Sequence, residues 1–318
     1  MSRRRRGWGR AAAVFGGIAA LLLVFELGLR AAKIFRPPPL WLATGSNVNA
    51  ADWRIVCAGD SHTEGVGAPR RLDYPQQLDA LLAAKKPEFR YRVINLGQSG
   101  CNSSEVAERV ELSLRWQPER PDVVVFCAGT NNHHNFHHAR ISPERIAKLD
   151  RSELLKLKLS ANRVCRFGLY AWDRLRFVHS ARNGNREPGS FAPASASPEA
   201  QTLREWLLND IDFLQHTVAD RGGHLVLLTY WYQIAWLDDA YREAAERWRL
   251  PLIDAHRVGS FGSVLGSIKN PVMIADLEHP NEFGYAQIAA LVFDSLQKAN
   301  LLEPKNRANG GVVPDRQR

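Results

Sequence analysis

The stretch CAGDSHTEGVG, residues 57–67, decides how this chain is read. Just upstream, Trp53-Arg54-Ile55-Val56-Cys57-Ala58 is a largely apolar run of strand length, the pattern of a buried strand. It breaks into Gly59-Asp60-Ser61, which taken alone is ordinary turn chemistry. An apolar periodic pattern resumes at Leu72. Ser61 then stands at the carboxyl end of a first strand, where open α/β sheets place their ligands. Three later stretches add meaning: NLGQSG at 95–100, AGTNN at 128–132 and DLEHPNEFGY at 276–285. Each follows a predicted strand or lies in a late loop, so all four are expected to converge on one sheet edge.

Working outward, the periodicity predicts helices over 72–84, 103–116, 201–220, 237–248 and 281–299. Strands are predicted at 91–95, 123–128, 224–230 and 252–254 besides the first. The run Val123-Val124-Val125-Phe126-Cys127-Ala128 is apolar throughout, as in a central parallel strand. Five strands alternating with helices argue for a doubly wound α/β fold, with a parallel sheet covered on both faces. One insertion, 133–200, interrupts the alternation. Its basic, apolar-rich part at 154–177 reads as a helical cap, a bilayer-facing surface or a helix packed on the domain edge. Its Gly/Pro/Ser/Ala-rich part reads as a loop.

The net charge of +9 invites a nucleic-acid reading, but its location argues against one. Residues 1–36 carry +7 and residues 303–318 carry +2, leaving the region between them neutral. The basic balance belongs to the termini, and no nucleic-acid partner is expected. Five arginines in the first ten residues precede AAAVFGGIAALLLVF, 11–25. Glu26 interrupts the run; counted through Leu29 with Glu26 near one interface, it is 19 residues long, against about 20 for a spanning helix. The arginines favour a cytoplasmic N-terminus, and Arg30 and Lys33 occupy the place of a small-x-small cleavage site. The expected arrangement is an arginine-rich tip and transmembrane anchor over 1–36, a Pro-led linker over 37–50, a catalytic domain over 51–302 outside the cytoplasm, and a disordered tail over 303–318. Secretion after signal cleavage is the alternative. The four cysteines (57, 101, 127, 165) show no metal-ligand spacing and are read as free.

Acyl transfer by serine needs an activated hydroxyl, a base that later serves as acid, and donors aimed at the developing oxyanion. Ser61 supplies the hydroxyl. Asp276 and His279, three apart, put a carboxylate and an imidazole within mutual reach, so that Asp276 holds the tautomer that accepts the serine proton. The backbone N–H groups of Ser61 and Gly100, with the Asn131 side-chain amide, supply the oxyanion hole. Glycine suits position 100 because a Cβ would crowd an approaching substrate.

With these four blocks the chain resembles the SGNH (GDSL-type) hydrolases: Gly-Asp-Ser at 59–61, the block ending in Ser99-Gly100, Gly-x-Asn at 129–131 and Asp-x-x-His-Pro-Asn at 276–281. The resemblance covers about residues 53–300. It implies a flavodoxin-like three-layer αβα sandwich with strand order 2-1-3-4-5, ester hydrolysis through an acyl-serine, and no cofactor. Two departures stand out. Asn132 occupies the place where the third block of the family usually has Asp, and His62 replaces the leucine of Gly-Asp-Ser-Leu. His62 is expected to point away from Ser61 in an extended turn.

HHNFHH at 133–138 would present His134 and His138 on one helical face, but no nearby carboxylate or cysteine completes a metal set, and it reads as a polar loop. The glycines at 59, 65 and 67 lack the spacing of a phosphate-binding or dinucleotide loop. The expected substrate is an acyl or acetyl ester at the cell envelope, a glycan O-acyl group first and a lipid ester second. An O-acyltransferase using the same serine and a non-catalytic envelope-binding protein are the alternatives.

Overall fold

In the computed structural model, residues 53–70, 72–116, 121–160, 197–256 and 279–303 are described, with positions 17, 20, 21, 24, 27, 28, 164, 165, 168 and 258 besides. The sheet has five parallel strands in the order β2-β1-β3-β4-β5. These are β1 (Trp53–Gly59), β2 (Tyr91–Asn95), β3 (Val123–Cys127), β4 (His224–Leu228) and β5 (Leu252–Ile253). Every residue of β1 and β3 is buried. That is why β3 reads as an unbroken apolar run and β1 as one interrupted only by the buried Arg54: both of their faces are covered, so no alternation survives. β2, at the edge, is mostly half-buried.

The helices are α1 (Ser61–Glu64), α2 (Tyr74–Lys85), α3 (Ser103–Trp116), α4 (Pro143–Ile146), α5 (Arg151–Ser160), α6 (Pro198–Ala219), α7 (Ala235–Trp248) and α8 (Glu282–Lys298). Helix α8 packs on α2, while α3 and α7 both pack on α6, giving one helical layer on each side of the sheet. The buried positions follow helical spacing. On α6 they include Leu203, Trp206, Leu207, Asp210, Ile211, Leu214 and Val218. On α8 they include Tyr285, Ile288, Ala289, Val292, Phe293 and Leu296. Each fully buried large apolar side chain contributes roughly 1.5–3 kcal/mol, so these faces hold the helices to the sheet. Ser197 begins α6, its hydroxyl accepting from the Ala200 N–H with Pro198 in the first turn, the usual start signal.

The segment after Gly59 differs from expectation. It is a turn of helix rather than an extended turn, capped by the Asp60 side chain, which accepts from the His62 N–H. A short acidic side chain at the cap position satisfies a donor that a helix start leaves unpaired. Gly65 closes the turn at φ +96°. Within the expected insertion, α4 and α5 are helical, while most of 161–196 lies outside the described residues. All four cysteines are free. No helix among the described residues is long and apolar enough to cross a membrane. The expected anchor over 1–36 lies mostly outside the described residues, as do the linker over 37–50 and all but the first residue of the tail.

Candidate active site

The carboxyl ends of β1 and β3 deliver two of the sequence blocks to one edge. In register, Gly59 lies opposite Cys127, so the Ser61 turn and the Gly129–Asn132 turn leave the sheet side by side. Gly59 has no room for a side chain: a Cβ there would lie 2.3 Å from the Cys127 carbonyl oxygen. After β2, Leu96 N–H donates to the Cys57 carbonyl at 2.8 Å and Gln98 N–H to the Gly59 carbonyl at 3.1 Å. The Ser99-Gly100 block is thereby held against the Ser61 turn.

Ser61 and His279 meet across 218 residues of chain, with His279 Nε2 2.8 Å from Ser61 Oγ. Two features fix the His279 segment. Asn281 caps α8, its side-chain oxygen accepting from the N–H groups of Phe283 and Gly284. Helix α8 is then tied to the Ser61 side, where the Tyr285 hydroxyl donates to the Val66 carbonyl at 2.8 Å. Gln77 Nε2 bridges the carbonyls of Leu72 and Glu282 at 2.5 and 2.9 Å. Asp276 lies outside the described residues.

Gly100 has φ +75°, with nothing within 4 Å of where a Cβ would be. The expected reason for glycine was room for substrate. The structure adds a backbone reason, since this left-handed region disfavours any side chain. The loop is braced by Glu64, whose carboxylate accepts from the Ser99 N–H at 2.6 Å and from the Ser99 hydroxyl. The Asn131 amide nitrogen donates to the Cys101 carbonyl at 2.9 Å and lies 3.5 Å from Asp60 Oδ2. Its one close bond therefore goes to the glycine-block loop, and its second hydrogen faces a longer contact.

Asn132 is fully buried and structural in its contacts. Its side-chain oxygen accepts from the Ser103 N–H at 2.9 Å and its amide donates to Ser103 Oγ at 2.8 Å. Ser103 Oγ in turn donates to Asp210 Oδ2 at 2.5 Å. Asp210, also fully buried, accepts from Ser104 at 2.8 Å and pairs with Arg140 at 3.3 Å. Burial pushes its carboxyl up to about 6 despite the two serines and the arginine, which act the other way.

His62 corrects the expectation that it points away from the site. Because α1 is a helical turn, the side chain turns inward and is buried. Its ring stacks on that of His279, with centroids 4.7 Å apart and planes 25° apart. In the sequence His62 stands only as a departure from Gly-Asp-Ser-Leu, with no role at the site. The signal that would have found it was the Asp60 cap, which turns the strand end into helix.

The histidines of 133–138 are arranged as two neighbouring pairs, His133 with His134 and His137 with His138. His137 Nδ1 lies 3.0 Å from Glu105 and His138 Nδ1 3.0 Å from Glu108, while His133 and His134 contact each other. Burial, with His133 adding to it, pushes the His134 ring well below the usual range. Among the described residues, no group of three or more His, Cys, Asp or Glu side chains is arranged to hold a metal ion.

A model of the GDSL-like lipase/acylhydrolase family matches residues 57–287. Among curated proteins, none matches. Solved structures similar to this chain include TesA, at 16% identity, covering 77% of this chain and 98% of that one, with a TM-score of 0.48. The lipase/acylhydrolase from Enterococcus faecalis is similar at 18% identity, over 80% and 99% of the two chains, with a TM-score of 0.46. The acetyl xylan esterase AlAXEase is similar at 16% identity, over 76% and 99%, with a TM-score of 0.47.

Proposed function

The chain belongs to the GDSL-like lipase/acylhydrolase family, the SGNH hydrolases, and is a hydrolase of ester bonds; from that premise we propose that Ser61 is its nucleophile and His279 its base. The observation that carries the reading is the 2.8 Å contact between Ser61 Oγ and His279 Nε2, within the range a proton-transfer partner needs. In the first half-reaction Ser61 Oγ attacks the ester carbonyl carbon as its proton passes to His279 Nε2. The tetrahedral intermediate then collapses, and the imidazolium returns that proton to the departing alcohol. Water attacks the acyl-serine by the reverse route, releasing the acid. Asp276 holds the other ring nitrogen of His279 in the tautomer this requires.

The oxyanion is received by the N–H groups of Ser61 and Gly100 and by the Asn131 amide. Ser61 opens a helix, so its N–H lacks an intrahelical acceptor. Asn131 joins by giving up its longer contact, to Asp60. No cofactor enters this chemistry.

For the whole protein we infer an anchor over 1–36 with its N-terminus in the cytoplasm, a linker over 37–50, the hydrolase domain over 51–302 on the periplasmic or outer side, and a tail over 303–318. The arginine-flanked stretch of residues 11–29, apolar but for Glu26, supports this arrangement. Confinement to the envelope favours acyl or acetyl esters of glycans as substrates, ahead of lipid esters.

The test is labelling by a fluorophosphonate probe together with hydrolysis of p-nitrophenyl acetate. Ser61→Ala is expected to abolish labelling and lower kcat at least about 10³-fold, and His279→Ala to do nearly the same. A Ser61→Ala variant hydrolysing at the wild-type rate would overturn the assignment. Release of free acid without an added acceptor supports hydrolysis, whereas acyl transfer onto an added sugar would mark a transferase.

A further inference from the structure

His62 is fixed from several directions before it meets His279. Its backbone N–H and its ring Nδ1 both lie against Asp60 Oδ1, at 3.1 and 3.2 Å. Asp60 is itself fully buried and receives the Tyr230 hydroxyl on its other oxygen at 2.5 Å. The His62 and Tyr230 rings meet nearly at right angles, with centroids 4.9 Å apart and planes 87° apart. Tyr232 lies at a tilt, 5.8 Å away. These holders belong to the α1 turn and to the segment just after β4, both attached directly to the sheet. The His62 ring is thus a flat surface with a fixed orientation, and His279 lies against it.

A general base has to keep one nitrogen aimed at the nucleophile throughout the reaction. The bond to Ser61 holds the His279 ring at Nε2, and a partner at the other ring nitrogen adds a second point in the ring plane; a ring held only through points in its own plane can still tilt about the line joining them. A parallel aromatic face within stacking distance opposes that tilt. We propose that His62 is a positioning residue for His279: its stacked ring sets the plane of the catalytic imidazole, so that Nε2 stays in line with Ser61 Oγ. A leucine at this position would fill the space without offering a flat face. The proposal rests on the reading of His279 as the base.

Three variants separate the flat face from packing and from the Asp60 contact. His62→Phe keeps a ring and loses the Nδ1 contact. His62→Leu fills the space with no ring. His62→Asn keeps a donor for Asp60 with no ring, and serves also if the leucine variant does not fold. Steady-state kinetics on p-nitrophenyl acetate and the rate of fluorophosphonate labelling are measured beside thermal melting. The phenylalanine variant is expected to hold kcat within about threefold of wild type. The leucine and asparagine variants are expected to lose about tenfold or more in kcat with KM nearly unchanged, as small misalignments of reacting groups do. Labelling should slow in parallel. Wild-type kcat in both ringless variants, equal losses in all three, or losses confined to KM or explained by lowered melting would overturn the role. His279→Ala in the same assay keeps the premise separate: if it is active, the base assignment fails, and if it is inactive while His62→Leu is normal, only the stacking role fails.

Discussion

Asn132 shows how one residue type is dictated by a neighbour's charge. Ser103 Oγ carries a single hydrogen, which goes to Asp210, so the hydroxyl faces Asn132 as an acceptor. Only a donor fits there, and an amide supplies it while its oxygen still takes the Ser103 N–H. A carboxylate at 132 would leave two buried acids competing for one serine proton. Asn132→Asp is therefore expected to cost about 2 kcal/mol, seen as a melting midpoint lower by roughly 5 °C; an unchanged midpoint would contradict this account. The Asn132 departure from the family pattern thus concerns the brace between two loops. Asn131, one residue earlier, lies against Cys101 and Asp60 at the site itself.

At the scale of elements, the site depends on how α8 is docked. The Ser61 turn hangs from β1, but His279 arrives just before α8 on the far side of the chain, so the 2.8 Å contact is only as firm as the seating of α8. The Tyr285–Val66 bond is a direct tie between the two segments. Tyr285→Phe removes one hydroxyl and leaves the Val66 carbonyl without that donor. It is expected to lower stability by about 1–2 kcal/mol and to reduce kcat several-fold with less change in KM. Parallel melting and kinetics check this, and a stability loss with unaltered kcat would show that the tie does not govern the site. Similar reasoning applies to the loop after β2. A Cβ at Gly97 would lie 2.1 Å from the Glu64 backbone nitrogen, so glycine there lets the glycine block lie directly on the nucleophile turn.

For the whole molecule, Asp210 links folding to pH. Its carboxyl is raised from 3.8 to about 6 in the fold, chiefly by burial. The folded state therefore binds this proton more tightly than the unfolded chain does. The contribution of Asp210 favours folding most below about pH 4 and declines as pH rises to about 6, by roughly 3 kcal/mol. Asp210→Asn should remove that decline, so denaturant midpoints compared with wild type across pH 4–7 would converge on different slopes; parallel curves would refute the linkage. What the amino-acid order determined alone was the local grammar. The apolar runs of β1 and β3, the helical periods and the four chemical blocks are carried by neighbours in the chain, and the strands and main helices fall within a few residues of where those signals place them. The strand order came from family resemblance, since which strands lie side by side leaves no mark in a strand's own residues. Only the tertiary structure decided that His62 faces His279, that Asn132 answers Asp210, and that His279 reaches Ser61. Each of these joins side chains whose separation in space is set by helix docking on the sheet, a long-range sum of packing contacts that no local window of sequence contains.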